Sequence, residues 1–258
     1  MAVDYDNNVL VFRDTINKSF CTYTKDTMRG IKAAEFISDV TKIVVDKVSP
    51  KNNVVFEAGG SASTAYRYAE FSKTAVLNFA DAVRPGGWVD SGAPTQEENL
   101  CRCSNLFPII YNCQDYYEQN RRAISNYYDV YTDGAIYAKD VLFFKDDIHY
   151  SSITPRYVDV ITCPSPSVLS IKADKAIYSR ACGIVKLAVS RGVSTLILGA
   201  WGCGAFGQLP DVISTAFAKA LLEYNHFNSV VFAIRSTDGR KTDVLNVMKK
   251  KFFEVYNG

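Results

Sequence analysis

The sequence predicts an α/β domain with a largely buried sheet covered by helices on both faces. Three observations carry this. Short apolar runs (VVF at 54–56, TAVLNFA at 74–80, SVVFAI at 229–234) alternate with longer stretches of helical periodicity. No internal repeat and no Gly/Ser- or Pro-rich linker divides the 258 residues, so one domain is expected. The composition, 48% hydrophobic and 22% charged, is that of an ordinary globular chain.

Taken in order, the first fifty residues are expected to form a helical extension. In TKDTMRGIKAAEFISDVTKIVVDKV (24–48), Ala33, Ile37, Val40, Val44 and Val48 recur at spacings of three or four, which suits one buried helical face. VVF is then a strand and SASTAYRYAEF (61–71) a short helix. TAVLNFA is a buried strand that runs straight into a glycine-containing loop. From Gln96 the chain reads as helix, with Leu100, Cys103, Phe107 and Ile110 on one side until Pro108 interrupts the pattern. VLFFKDD (141–147) and YVDVITCPSPS (157–167) are β-rich, the second stopped by Pro164 and Pro166. Residues 170–191 read as a helix, STLILGA (194–200) as a strand entering a glycine-rich loop, 210–225 as a helix, 229–234 as the last strand and 238–256 as a basic helix.

A formal charge of +2 excludes bulk electrostatic attraction to nucleic acid or an acidic membrane as the organising feature. No apolar run approaches the roughly 20 residues that span a bilayer. The start, MAVDYDNNVLVFRDT, lacks a basic segment followed by an apolar one, so no secretory signal is expected. Seven cysteines, an odd number at low density, indicate reduced thiols and an intracellular, cytoplasmic setting.

Two loops stand where open α/β sheets bind ligands, beyond the carboxyl ends of strands. The first contains Gly86-Gly87 and the second reads Gly202-Cys203-Gly204-Ala205-Phe206-Gly207. Glycine allows positive φ and close approach of a phosphate to backbone amides. The second loop also matches G-x-G-x-x-G, with Glu223 near the spacing of a dinucleotide-ribose contact. Only one helix, one strand and one helix follow it, so an ordinary strand-to-helix turn explains these glycines equally well.

Thr95-Gln96-Glu97-Glu98 fits the S/T-x-x-E capping box, the simpler reading on pattern alone. The context adds a second reading. Adjacent carboxylates at the mouth of a buried strand push one pKa upward, which provides an acid for a glycosidic leaving group. No second acid at a separate position is evident. His149 and His226 are the only histidines, and neither stands near a cysteine at metal-ligand spacing. Cys101 and Cys103 form C-x-C without a partner pair, so no zinc site is expected. Cys113, Cys163 and Cys182 read as structural thiols, and MKKKFF (248–253) as a solvated helix face.

Several segments in order resemble the microbial poly(ADP-ribose) glycohydrolase family. VLNFADAVRPGGWVDSGAPTQEENLCRCSNLFP resembles its catalytic region, in which a glycine-rich loop precedes Gln-Glu-Glu. LFFKDD and VDVITCPSPS resemble its central strands, and LILGAWGCGAFGQLPDVI its second phosphate-side loop, together covering residues 54–235. The resemblance implies a three-layer α/β/α macrodomain-like fold with a mixed sheet, binding ADP-ribose between the two loops. It implies Glu98 as catalytic acid and base, Glu97 as the holder of the distal ribose hydroxyls, and Gln96 as support. Gly86 and Gly87, with the amides around Gly202, Cys203, Gly204 and Ala205, would approach the diphosphate, and Phe206 would pack near the distal ribose. No metal or cofactor would be required. The partners implied are ADP-ribose or poly(ADP-ribose) on protein or nucleic acid, with no membrane and a monomeric chain. Two positions depart from the family pattern: Trp88 stands at the third glycine of a Gly-Gly-Gly loop, and Asp81 where Asn is common. A catalytically weakened ADP-ribose-binding reader is therefore the alternative to a glycohydrolase, and a dinucleotide-dependent oxidoreductase a third reading.

Overall fold

In the computed structural model, residues 4–124, 131–167, 173–235 and 239–258 are described. The apolar runs become seven strands: β1 (Glu35–Ile37), β2 (Val54–Ala58), β3 (Thr74–Asn78), β4 (Ala135–Lys145), β5 (Ser152–Thr162), β6 (Thr195–Leu198) and β7 (Ser229–Ile234). They form one mixed sheet in the order β1-β4-β5-β3-β6-β7-β2. β3 runs parallel to β5 and β6, and β6-β7-β2 continue parallel. β4 is antiparallel to β5 and to β1.

Strand side chains alternate between two cores, as a period of two requires. Val76, Ile197 and Val231 pack with Phe12, Ala65, Leu100 and Tyr117, below α1 (Tyr5–Cys21), α3 (Ser61–Tyr68), α4 (Gln96–Cys103), α5 (Leu106–Tyr111) and α6 (Gln114–Ala123). Leu77, Leu196, Leu198 and Phe232 face the other way, against α7 (Ala173–Ser190), α8 (Pro210–Tyr224) and α9 (Gly239–Tyr256). This is the expected α/β/α arrangement.

The helix expected over 24–48 forms only over its first ten residues. α2 (Thr24–Ala33) ends where Ala34 turns extended, with ψ 133°. Phe36 and Ile37 then pair with Ile136 and Ala135 of β4. Val40 sits in a short 3-10 turn buried beside Gly183 of α7, while Val44 is 90% exposed. The open edge of β4 supplies backbone partners that outweigh the local three–four spacing. The break after α4 likewise falls at Ser104–Asn105, not at Pro108. Asn105 donates its amide to the Leu142 carbonyl at 3.1 Å and accepts the Leu142 amide on Oδ1 at 2.8 Å. Pro108 lies in the first turn of α5, where a missing N–H costs no helical bond. β4 and β5 each begin five or more residues before the expected runs. The expected helix starts at 170–172 and 238 lie outside the described residues.

The N-terminal helix is tied to the sheet by one buried cation. The Lys145 ammonium donates to Thr15 Oγ1 at 2.7 Å and to the Val11 carbonyl at 3.1 Å, and pairs with Asp14 at 2.8 Å. Burial pushes its pKa down. Thr15 Oγ1 in turn donates to the Arg102 carbonyl of α4 at 2.7 Å. All seven cysteines are free thiols, and among the described residues no helix is long and apolar enough to cross a membrane.

Thr15→Val keeps the side-chain volume but removes the hydroxyl that serves both groups. It is expected to destabilise the protein by about 1–3 kcal/mol, read as a lower urea midpoint at unchanged slope.

Candidate active site

β3 is apolar from Ala75 to Leu77 and ends on Asn78, a fully buried amide. Its Nδ2 donates to Glu97 Oε1 at 3.1 Å and to Thr162 Oγ1 on β5 at 3.2 Å. The Asp81 amide donates to Glu97 Oε2 at 2.8 Å. The Asp81 carboxylate accepts from the amides of Val83 (2.8 Å) and Arg84 (3.0 Å), which closes the first turn of the loop.

Gln96 opens α4 by stapling it to its neighbours. Its Oε1 accepts the Phe79 amide at 2.8 Å, and its Nε2 donates to the Leu77 carbonyl (2.9 Å) and to Ser61 Oγ (2.8 Å). Glu97 and Glu98 follow with only 2% and 4% exposure. Glu98 Oε1 accepts the Trp88 amide at 3.0 Å, and the Thr95 hydroxyl donates to Oε2. The capping box is therefore not made. Glu98 turns from the Thr95 amide toward the glycine loop, which presents a donor at the right height.

The glycines explain why that loop can lie against two carboxylates. Gly86 and Gly87 have φ of 70° and 57°. A Cβ on Gly87 would stand 2.5 Å from Glu98 Oε1, and one on Gly86 2.7 Å from the Phe107 ring. Gly87 donates its own amide to the Arg84 carbonyl at 3.0 Å, so this amide serves the loop. Trp88 has φ −105°, ordinary for any residue, so the third position accepts a side chain without strain.

Burial raises the Glu97 pKa well above the usual carboxylate range; the Asn78 and Asp81 hydrogen bonds oppose the shift, and the charges of Glu98 and Asp81 add to it. For Glu97, loss of water outweighs the repulsion anticipated from adjacent charges. Arg102, one turn after Glu98, is also buried; it donates from Nη1 to the Ala93 carbonyl (2.8 Å) and from Nε to Tyr150 OH (3.1 Å). Asn8 of α1 donates to the Gly92 carbonyl at 2.8 Å. Sequence reasoning missed Asn78, Arg102 and Asn8. Only Asn78, an amide ending an apolar strand, carried a local signal.

The second loop leaves β6 beside the first, because β3 and β6 are parallel neighbours. Gly202 has φ 77°, and a Cβ there would stand 2.3 Å from Ser165 Oγ. Gln208 closes the loop, its amide on the Gly202 carbonyl (2.9 Å) and its Nε2 on the Pro166 carbonyl (2.7 Å). Among the described residues, the amides of Gly202, Gly204, Ala205 and Phe206 make no hydrogen bond, whereas Cys203 donates its amide to Ala200 at 3.1 Å. Burial pushes the Cys203 thiol up to about 12. The Phe206 ring meets Tyr131 edge-on at 6.0 Å. Arg180 of α7 secures this wall, donating to Asp133 Oδ1 (2.7 Å) and the Pro164 carbonyl (3.2 Å). Glu223 does not join it. It closes the 15-residue α8 and pairs with Lys47 at 2.7 Å, roughly 20 Å along the helix from the loop.

The chain is similar to the following known proteins. Residues 23–146 match the family model of the microbial-type PARG catalytic domain. A poly(ADP-ribose) glycohydrolase structure from Deinococcus radiodurans, in complex with ADP-ribose, is 25% identical with TM-score 0.79 over 89% of this chain and 98% of that one. A second crystal form of that complex is 26% identical with TM-score 0.76, again over 89% and 98%. The Thermomonospora curvata enzyme bound to the inhibitor ADP-HPD superposes with TM-score 0.84 over 96% of this chain and all of that one, at 24% identity. No curated protein matches the chain.

Gly87→Ala places a methyl group against Glu98 at a positive φ. The left-handed conformation alone costs about 1–2 kcal/mol, read as a lower urea midpoint, and a structure of the variant is expected to show Glu98 displaced from the Trp88 amide. The Glu97 pKa is higher in the folded state than in the unfolded chain. Stability is therefore expected to be full below the ordinary glutamate pKa and to fall as pH rises through the raised folded value. Glu97→Gln removes that decline in urea midpoints measured from about pH 4 upward. A wild-type profile as flat as the variant's contradicts the assignment.

Proposed function

Starting from the family match of residues 23–146, we propose that this chain is an ADP-ribose glycohydrolase. It hydrolyses the O-glycosidic bond at the distal ribose of poly(ADP-ribose) or of ADP-ribosylated macromolecules. The observation that carries the reading is the carboxylate pair, Glu98 held by Trp88 and Thr95 beside a Glu97 whose pKa burial raises.

The leaving oxygen needs a proton. Glu98, in its acid form, donates one as the glycosidic bond breaks toward an oxocarbenium-like state, and then, as a carboxylate, takes a proton from the attacking water. Glu97 is kept in place by Asn78 and Asp81 and holds the distal ribose hydroxyls. Asn78 Oδ1, a buried acceptor with no protein partner, adds a place for a sugar hydroxyl to donate. The four free amides of the second loop take the diphosphate, with Gly86 and Gly87 opposite and Phe206 packing near the distal ribose. With so little of the carboxylates exposed, bulk solvent is kept from the pair.

The two departures from the family pattern leave this machinery in place. Asp81 spends its carboxylate on the amides of Val83 and Arg84, an acceptor role an Asn would also fill. Trp88 contributes its amide to Glu98 whatever its side chain. Both observations favour an active enzyme over a weakened reader.

Wild type is expected to release free ADP-ribose from poly(ADP-ribosyl)ated protein, and Glu98→Ala to lower that rate by about 10²–10⁴-fold with an unchanged melting profile. A fully active Glu98→Ala protein removes Glu98 from the mechanism. Tight ADP-ribose binding by calorimetry without release by wild type makes the chain a reader.

A further inference from the structure

We propose that Trp88 is a stacking platform for the adenine of the adjoining ADP-ribose unit, on the leaving-group side of the bond. The inference rests on the glycohydrolase reading and names the substrate it prefers. When the distal ribose bond of a polymer breaks, the leaving oxygen is the 2′-oxygen of the next adenosine. That adenine therefore lies one ribose away from the group Glu98 protonates. Trp88 donates its amide to Glu98 Oε1 at 3.0 Å, so its indole lies within one side-chain length of the same group.

An exposed aromatic by itself needs no explanation, but this one is held. Trp88 is 55% exposed, whereas the chain's other tryptophan, Trp201, is buried and donates its indole N–H to the Cys163 carbonyl at 2.9 Å. The Arg84 guanidinium lies 3.9 Å from the Trp88 ring centroid, a cation–π support. Arg84 Nη2 is fixed by both oxygens of Asp90, each at 2.8 Å. That pairing fixes the guanidinium, which makes it a prop for the ring. The backbone is closed as well, since the Trp88 carbonyl accepts the amides of Ser91 (3.1 Å) and Ala93 (3.2 Å). The indole N–H makes no hydrogen bond among the described residues and stays available to a ligand. A preordered, propped indole loses little freedom when a base stacks on it. A protein side chain as leaving group offers no such ring.

The test uses two readouts on the full chain. In a Glu98→Gln background, oligo(ADP-ribose) is expected to quench Trp88 fluorescence and to bind about tenfold more tightly than ADP-ribose. Adding Trp88→Ala abolishes the quench and brings the two affinities together, while adding Trp88→Phe restores the tighter binding of the oligomer. In turnover by the Glu98 enzyme, Trp88→Ala lowers the ratio of kcat/KM for polymer to that for an ADP-ribosylated peptide about tenfold, mainly through KM. Equal affinities for oligomer and ADP-ribose with Trp88 present overturn the proposal, as does tighter oligomer binding by Trp88→Ala, which marks an obstructing indole. Absence of turnover on both substrates defeats the glycohydrolase reading alone, because the binding and quenching measurements still decide the platform.

Discussion

Glu97 has lost nearly all contact with water, and two donors from the end of β3 replace it: Asn78 Nδ2 at 3.1 Å and the Asp81 amide at 2.8 Å. A carboxylate withdrawn from water is costly unless it is neutralised or fully bonded. The rest of the site can be read as what makes that burial tolerable. Gln96 pins the helix so that Glu97 meets β3, and the same pinning delivers Glu98 to the glycine loop. Buried Arg102, one turn further along α4, sets a positive charge in the same element.

The glycine loop works through contact rather than flexibility. Gly86 and Gly87 adopt left-handed angles, and their missing side chains leave room for Phe107 and the Glu98 carboxylate. Outside them, the chain is braced from distant parts of the sequence. α1 reaches Gly92 through Asn8 and α4 through Thr15, while Lys145 at the end of β4 holds α1 to the sheet. The N-terminal helix therefore belongs to the support of the site. Its sequence carries no sign of this role, because the groups it serves are more than 80 residues away.

The second loop has a different character. Its closure on Pro166 and Gly202 uses side-chain and carbonyl groups, so a run of amides from Gly204 to Phe206 is left without partners. Unpartnered amides crowded beyond the carboxyl end of a parallel strand favour anionic ligands. The dinucleotide reading of the same glycines fails on distance, since Glu223 stands at the far end of α8 and is already paired with Lys47.

What the sequence determined by itself is the local record: apolar strands with a period of two, the helices between them, the two glycine loops and the Gln96-Glu97-Glu98 unit. These were legible because burial and turn geometry leave their mark within a few neighbouring residues. The helix anticipated over 24–48 stopped short for the complementary reason, since the unpaired edge of β4 lies a hundred residues downstream and periodicity cannot see it. The capping box failed in the same way, because the Trp88 amide that captures Glu98 reaches α4 only through the folded loop. The raised pKa of Glu97 was likewise a tertiary decision. Sequence places both carboxylates side by side, but desolvation depends on what covers each one, and that is settled only when β3, α4 and the loop close together.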